Sequence, residues 1–143
     1  WVVWQAFDGH DWEINKWDGY GVYQLTDNAF NDLEPRGNSQ GQIVWSGFNG
    51  HDFDTYLYDS GSVTQISANS RDDIYPRINN LGQVVWEGRA ANGTWDIYLA
   101  YPTTATRTQT RITNRPGDDK NVSINRAGQM VWACPPGSHA GAL

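Results

Sequence analysis

Apolar residues along this chain fall in short runs, some alternating with polar residues, and clusters of Gly, Asn and Asp separate them at intervals of roughly 8–12 residues. The pattern predicts strands over residues 1–5, 12–17 and 22–26, and a short fourth one over 35–38, where Pro35 and Gly37 weaken it. The same order returns over 42–47, 54–58, 63–67 and 74–79, then over 83–88, 95–101, 108–113 and 121–125, and starts again at 129–133. No segment sustains the spacing of about 3.6 residues that marks an amphipathic helix. The class is all-β.

One stretch is written repeatedly. Residues 79–86 read NNLGQVVW, residues 38–45 NSQGQIVW and residues 125–132 NRAGQMVW, and the chain opens on the tail of a fourth copy. Trp4, Trp45, Trp86 and Trp132 are therefore spaced by 41, 41 and 46 residues, and Gly41, Gly82 and Gly128 keep step with the last three. A fixed period of this size signals a repeat architecture. The units run over about 1–41, 42–82 and 83–128, with a partial one from 129. The third unit's extra residues fall at 89–94 and 102–107, where surface connections lengthen at little cost. Residues 134–143 leave the pattern and read as a divergent, flexible end.

Asn at the first and Gly at the fourth position of the stretch are type I turn preferences, and the Gly can take positive φ to feed an antiparallel hairpin. The Val-Val-Trp that follows is apolar on both sides of a strand, so both of its faces require cover. Each buried Trp removes about 150–250 Å² from water and would glue neighbouring sheets. Trp12, Phe53 and Trp95 recur on the next strand and are expected to join the same packing. Asp32, Asp73 and Asp119 recur too, each in a predicted loop before the short fourth strand. They read as structural residues whose carboxylates accept backbone N–H bonds to hold a turn.

Composition narrows the picture. Eight Trp, seven Tyr and four Phe carry much of the apolar content of these 143 residues, which favours strands. The net charge of −6 with scattered Lys and Arg argues against nucleic acid as a partner. No apolar run approaches the ~20 residues of a membrane span. Cys134 is the only cysteine, which excludes an internal disulfide. The chain begins at Trp1 without an initiator Met and reads as a mature or partial chain, for which an extracellular or periplasmic setting is the expectation.

The order Asp-x-x-Pro-x-Ile-Asn-x-x-Gly-Gln-Val-Val-Trp over 73–86, then Asp-Ile-Tyr-Leu over 96–99 and Arg-Ile-Thr over 111–113, resembles the TolB-type, WD-repeat-like β-propeller repeat. The resemblance covers about residues 1–133. It implies blades of four-stranded antiparallel sheet in which the Asn-x-x-Gly hairpin joins the first two strands. On that register the chain enters at a second strand, contains two whole blades and ends after two strands of another. Closed propellers typically have about 4–8 blades, so about three repeats imply a part of a larger propeller, completed by further repeats or other chains.

The most chemically loaded stretches are the predicted turns at 8–13 (DGHDWE) and 49–54 (NGHDFD). Asp8, His10, Asp11, His51 and Asp52 are the candidate metal ligands, for Ca2+ through their oxygens or another divalent ion through imidazole, although no cofactor is required. Turn-forming Asp-Gly and Asn-Gly account for the same residues without an ion. No nucleophile motif is present, and adjacent carboxylates such as Asp72 and Asp73 point to opposite sides of an extended chain. Trp17, Tyr20, Phe30 and Phe48 are the candidate exposed aromatics for a sugar or protein partner. The leading expectation is a non-catalytic module for protein or glycan binding, or a structural subunit of an assembly. The alternative is the propeller portion of a larger enzyme, a peptidase or polysaccharide lyase.

Overall fold

The computed structural model describes residues 1–101 and 108–136, as strands joined by turns and loops. The insertion expected at 102–107 and most of the expected tail, 137–143, lie outside the described residues. Val2–Phe7 (β1), Trp12–Trp17 (β2) and Val22–Gln24 (β3) form the first sheet. Asp32–Gly37 (β4), Ile43–Phe48 (β5), Phe53–Asp59 (β6) and Ser62–Gln65 (β7) form the second. The third holds Asp73–Ile78 (β8), Val84–Arg89 (β9), Trp95–Ala100 (β10) and Gln109–Arg111 (β11). Lys120–Ile124 (β12) and Met130–Ala133 (β13) form the fourth. Neighbouring strands are antiparallel throughout. Two complete four-stranded sheets flanked by a three-stranded and a two-stranded one make a partial propeller of about three blades. No helix among the described residues is long and apolar enough to cross a membrane.

The hairpin turns form as the sequence predicts. Gly41, Gly82 and Gly128 have φ of 82°, 75° and 84°, and each donates its N–H to the carbonyl of the Asn three residues before it. The strands after them, β5 and β9, are buried on both faces. Trp86 packs with Val84 and Ala100 of its own sheet and with Val44, Leu57 and Ile66 of the preceding one, so the apolar core lies between sheets. Trp45 with Ile14 and Ile43 does the same one sheet earlier. Trp12, Phe53 and Trp95 behave differently from the expectation. They lie outside these core clusters: Trp12 packs on Phe7, Phe53 on Phe48, and Trp95 beneath Lys120.

Asp32 and Asp73 open β4 and β8 rather than lying in loops, and Asp119 directly precedes β12. The partner of the buried carboxylate is also not the expected backbone N–H. Asp32 Oδ1 accepts the indole N–H of Trp45 at 2.7 Å, and Asp73 Oδ1 that of Trp86 at 2.7 Å. The other oxygen accepts the side-chain amide of Asn28 at 2.7 Å in one sheet and of Asn69 in the next. Room for this bond comes from Gly47 and Gly88: a Cβ on Gly88 would lie 2.5 Å from Asp73 Oδ1 and 2.6 Å from the Tyr98 ring. The repeated Asp and the repeated Trp are one device.

Sheets are also tied by polar bonds. Asn38 Nδ2 donates to the carbonyl of Asn79 at 2.9 Å, and Asn79 Nδ2 to that of Asn125 at 3.0 Å, so each hairpin turn is bonded to the next. Asn79 also accepts from Leu81 N–H and Gln83 N–H within its own turn. Asn79→Ala is therefore expected to cost about 2 kcal/mol, and Asn125→Ala, whose side chain is exposed and bonds within its own turn, about 1 kcal/mol or less. Thermal unfolding of the two variants side by side measures this; equal losses would mean that the sheet-to-sheet bond contributes nothing.

Candidate functional site

β4 and β8 each pair on one side only, and they contact one another across the gap between their sheets, forming its inner edge. An edge strand exposes unpaired backbone groups, and this chain blunts both edges in the same way. The pairing of β4 with β5 shifts between Leu33 and Arg36, and that of β8 with β9 between Ile74 and Arg77. At the shift Glu34 and Tyr75 adopt φ of 57° and 55°, and Asn121 repeats this at 57° in β12. Such left-handed non-glycine residues cost roughly 1–3 kcal/mol unless neighbours hold them. Here the preceding sheet does so. The N–H of Glu34 bonds Gln5 Oε1 at 2.8 Å, that of Tyr75 bonds Ser46 Oγ at 3.0 Å, and that of Asn121 bonds Glu87 Oε1 at 2.7 Å.

Pro35-Arg36 and Pro76-Arg77 follow these bulges. Proline removes an N–H from the edge, and the guanidinium covers the carbonyl beside it: Arg36 Nη1 bonds Pro35 O at 2.8 Å and Arg77 Nη1 bonds Pro76 O at 3.0 Å. Arg36 Nη2 also meets Glu34 Oε2 at 3.2 Å in a half-exposed pair of little energetic worth. Burial, and then the like charge of Arg36, lower the Arg77 pKa from its ordinary value. The inner edge thus gathers Glu34, Arg36, Tyr75 and Arg77 into a polar strip. Behind it a cavity of about 240 Å³ opens between the second and third sheets, walled by Leu33, Ile74, Phe53 and Trp95 with Glu34, Ser46, Asp72 and Tyr75 on its lining. Mostly apolar walls with a few convergent polar groups suit a side chain or small ligand better than bond-breaking chemistry.

A second, more polar cavity of about 360 Å³ lies among the turn and loop residues, lined by His51, Asp52, Arg71, Asp72 and Arg89 among others. The two imidazoles among the described residues, His10 and His51, stand exposed at the tips of their turns. Asp72 and Asp73 have separate tasks: Asp72 Oδ1 accepts Phe53 N–H at 3.1 Å, while Asp73 holds Trp86.

The four candidate aromatics are not brought together. Trp17 ends β2 and Tyr20, 97% exposed, follows in the next turn, whereas Phe30 packs edge-on against Phe48 at 5.9 Å. Phe30 lies by Asn31, whose side chain bonds Trp12 N–H at the opposite end of β2, about 17 Å from Trp17 at strand rise. Of the candidate ligands, Asp8, His10 and Asp11 share one turn, and His51 and Asp52 the equivalent turn of the next sheet. The His10 side chain is 90% exposed, and its Nδ1 lies 4.0 Å from Asp8 Oδ1. Backbone N–H donors of His10 and Asp11 hold the Asp8 carboxyl below its usual range. Asp8 and Asp11 converge instead with Glu13, the last residue of the acidic stretch 8–13 and the second of β2. The inner-edge residues were missed as well. The signal for them was the dipeptide Pro-Arg, repeated 41 residues apart at 35–36 and 76–77.

No family model matches the sequence, and no curated protein is detectably similar to it. Solved structures do resemble the fold. The β-propeller domain of the trilobed protease from Pyrococcus furiosus, described as having an open velcro topology, superposes with a TM-score of 0.60 at 13% identity, over 73% of this chain and 30% of that one. The acylaminoacyl peptidase of Pyrococcus horikoshii superposes with a TM-score of 0.61 at 13% identity, over 89% of this chain and 21% of that one. The chain thus spans less than a third of the length of either protein, and the likeness establishes the propeller fold.

Proposed function

We propose that this chain is the propeller portion of a larger peptidase, with repeats of the TolB type, and that it contributes walls and contacts rather than catalytic groups. The observation that carries this reading is the superposition on two peptidase propellers over a fraction of their length. The side chains of the inner edge suit contact with a peptide: it offers an ion pair, a phenol and a guanidinium. Propellers surround a central channel, and in the complete ring Glu34, Arg36, Tyr75 and Arg77 would line it, where a peptide passing towards a catalytic domain would meet them. The full polypeptide should then carry a peptidase domain outside residues 1–143 and hydrolyse peptide substrates. A complete polypeptide with no such domain and no peptide hydrolysis overturns the reading.

One observation favours a second reading, contact with a protein or glycan partner: Tyr20 is almost wholly exposed at a turn tip. A glycan array read with a Trp17→Ala control tests the sugar part of this reading, and no hit on any glycan leaves contact with a protein as the better account.

A further inference from the structure

Asp8 and Asp11 in the β1–β2 turn and Glu13 in β2 bring one ligand oxygen each to within 4.8 Å of one another. Like charges at this distance repel, and two of the three side chains are out of water: Asp11 is 6% and Glu13 0% exposed. Among the described residues, both oxygens of Asp11 and Oε2 of Glu13 have no hydrogen-bond partner. Glu13 Oε1 accepts Asn28 N–H at 2.9 Å, and Asp8 Oδ1 accepts His10 and Asp11 N–H at 2.8 and 3.1 Å. Three buried carboxylate oxygens without donors point to a missing positive group.

The neighbouring sheets show what the fold does at this place. The β5–β6 turn has the same form: Asn49 Oδ1 accepts from His51 and Asp52 N–H at 2.9 and 3.1 Å, as Asp8 does in its own turn. There the asparagine amide lies between the acids, with Nδ2 2.6 Å from Asp52 Oδ1 and 2.8 Å from Asp54 Oδ2. Gln65 Nε2 adds a further bond to Asp54 at 2.8 Å, leaving Asp52 Oδ2 as the unpartnered oxygen of that turn. In the third sheet Asp96, the equivalent of Glu13, receives the Arg111 guanidinium at 2.6 Å. The first sheet has neither solution. Asp8 replaces the amide with another carboxylate, and Gln24, which corresponds to Gln65, turns away to Thr26 O at 2.8 Å.

We propose that the first sheet binds a divalent cation of the Ca2+ class through Asp8, Asp11 and Glu13, in the place that an amide nitrogen fills in the second sheet. Three carboxylates form a hard, all-oxygen ligand set, and the exposed imidazole of His10 leaves nothing to favour a softer ion. Ca2+ takes about 6–8 oxygens, and the solvent-facing side of Asp8 leaves room for water to complete the shell. The inference does not depend on the peptidase reading.

The test is thermal unfolding of the full chain in EDTA and in CaCl2, with Tb3+ luminescence excited through tryptophan as a direct reading of occupancy. At an affinity typical of extracellular sites, about 0.1–1 mM, ~10 mM CaCl2 should raise Tm by ~5 °C. Asp8→Asn copies the second sheet's amide. It should unfold at higher temperature than the wild type in EDTA, lose the Ca2+ response and lose the Tb3+ signal. Glu13→Gln supplies an amide from the opposite side and should act alike, which keeps the test decisive if either variant fails to fold. A wild type that neither shifts with Ca2+ nor sensitises Tb3+, or an Asp8→Asn protein that keeps the full response, overturns the site.

Discussion

Trp86→Ala is expected to be the most damaging single change, costing about 4–6 kcal/mol from cavity formation and from the carboxylate it orphans. The indole is fully buried, stacks on Tyr98 with ring centroids 5.8 Å apart, and touches apolar residues of two sheets. Its removal also strips Asp73 Oδ1 of a 2.7 Å bond inside the protein. Against a total stability of about 5–15 kcal/mol, a loss of this size unfolds much of the population. Trp132→Ala should cost less than half as much, because that ring is only half buried in a two-stranded sheet. Urea denaturation of both variants decides the matter; equal losses would place the structural core elsewhere. Trp86→Phe separates the two contributions, since it keeps most of the volume and removes the N–H.

The second large effect is on pH dependence. Burial pushes the carboxyls of Asp32 and Asp73 up from 3.8 to about 6, against the opposing pull of their amide and indole donors. Between about pH 4 and 6 the native state then holds two protons that the unfolded chain has released, so stability falls as pH rises through this window and levels off above it. Each group contributes up to about 3 kcal/mol of that change. Exposed Asp8 and Asp18 and half-buried Asp118 are shifted the other way by backbone N–H donors, in Asp118 aided by Lys120, and lose stabilisation as pH falls through their lowered values. The net charge of −6 also relaxes on acidification, so wild type must be compared with Asp73→Asn. The variant keeps an acceptor for Trp86 but cannot ionise. Its unfolding midpoint should change less than that of the wild type between about pH 4 and 7. Identical slopes in the two proteins would show that the Asp73 proton is not linked to folding.

Much of the fold was legible in the sequence because turn chemistry is local. Asn and Gly three apart define a hairpin by their own conformational preferences, and the Val-Val-Trp after them declares a strand covered on both faces. The Asp–Trp bond was not legible. Its partners lie 13 residues apart on different strands, and their juxtaposition depends on register and on the missing Cβ of Gly47 and Gly88. The bulges were hidden for a related reason: alternation presumes a period of two, and one left-handed residue resets it. Pro35 and Gly37 marked the disturbance, but it could be read only as a shortened strand. At the acidic turn, Asp8 and Asp11 could be picked out by composition. Glu13 falls in the same acidic stretch, but its place beside them depends on the strand that begins at Trp12, which composition does not reveal. The difference between Asp8 and Asn49, one amide for one oxygen, acquires meaning only when the two turns are seen to share a shape.

Two sets of bonds between sheets repeat along the chain with a fixed direction. Each bulge donates its main-chain N–H backwards to the sheet before it, and Asn38 and Asn79 donate their amides forwards to the sheet after them. The array therefore has a head and a tail, and the two are complementary surfaces rather than copies of one another. An interface of this heterologous kind closes only where the rotation between units brings the last head onto the first tail. It adds units in rotation until the last meets the first, and whether it becomes a ring or a growing helix depends on the angle between successive sheets rather than on any new contact.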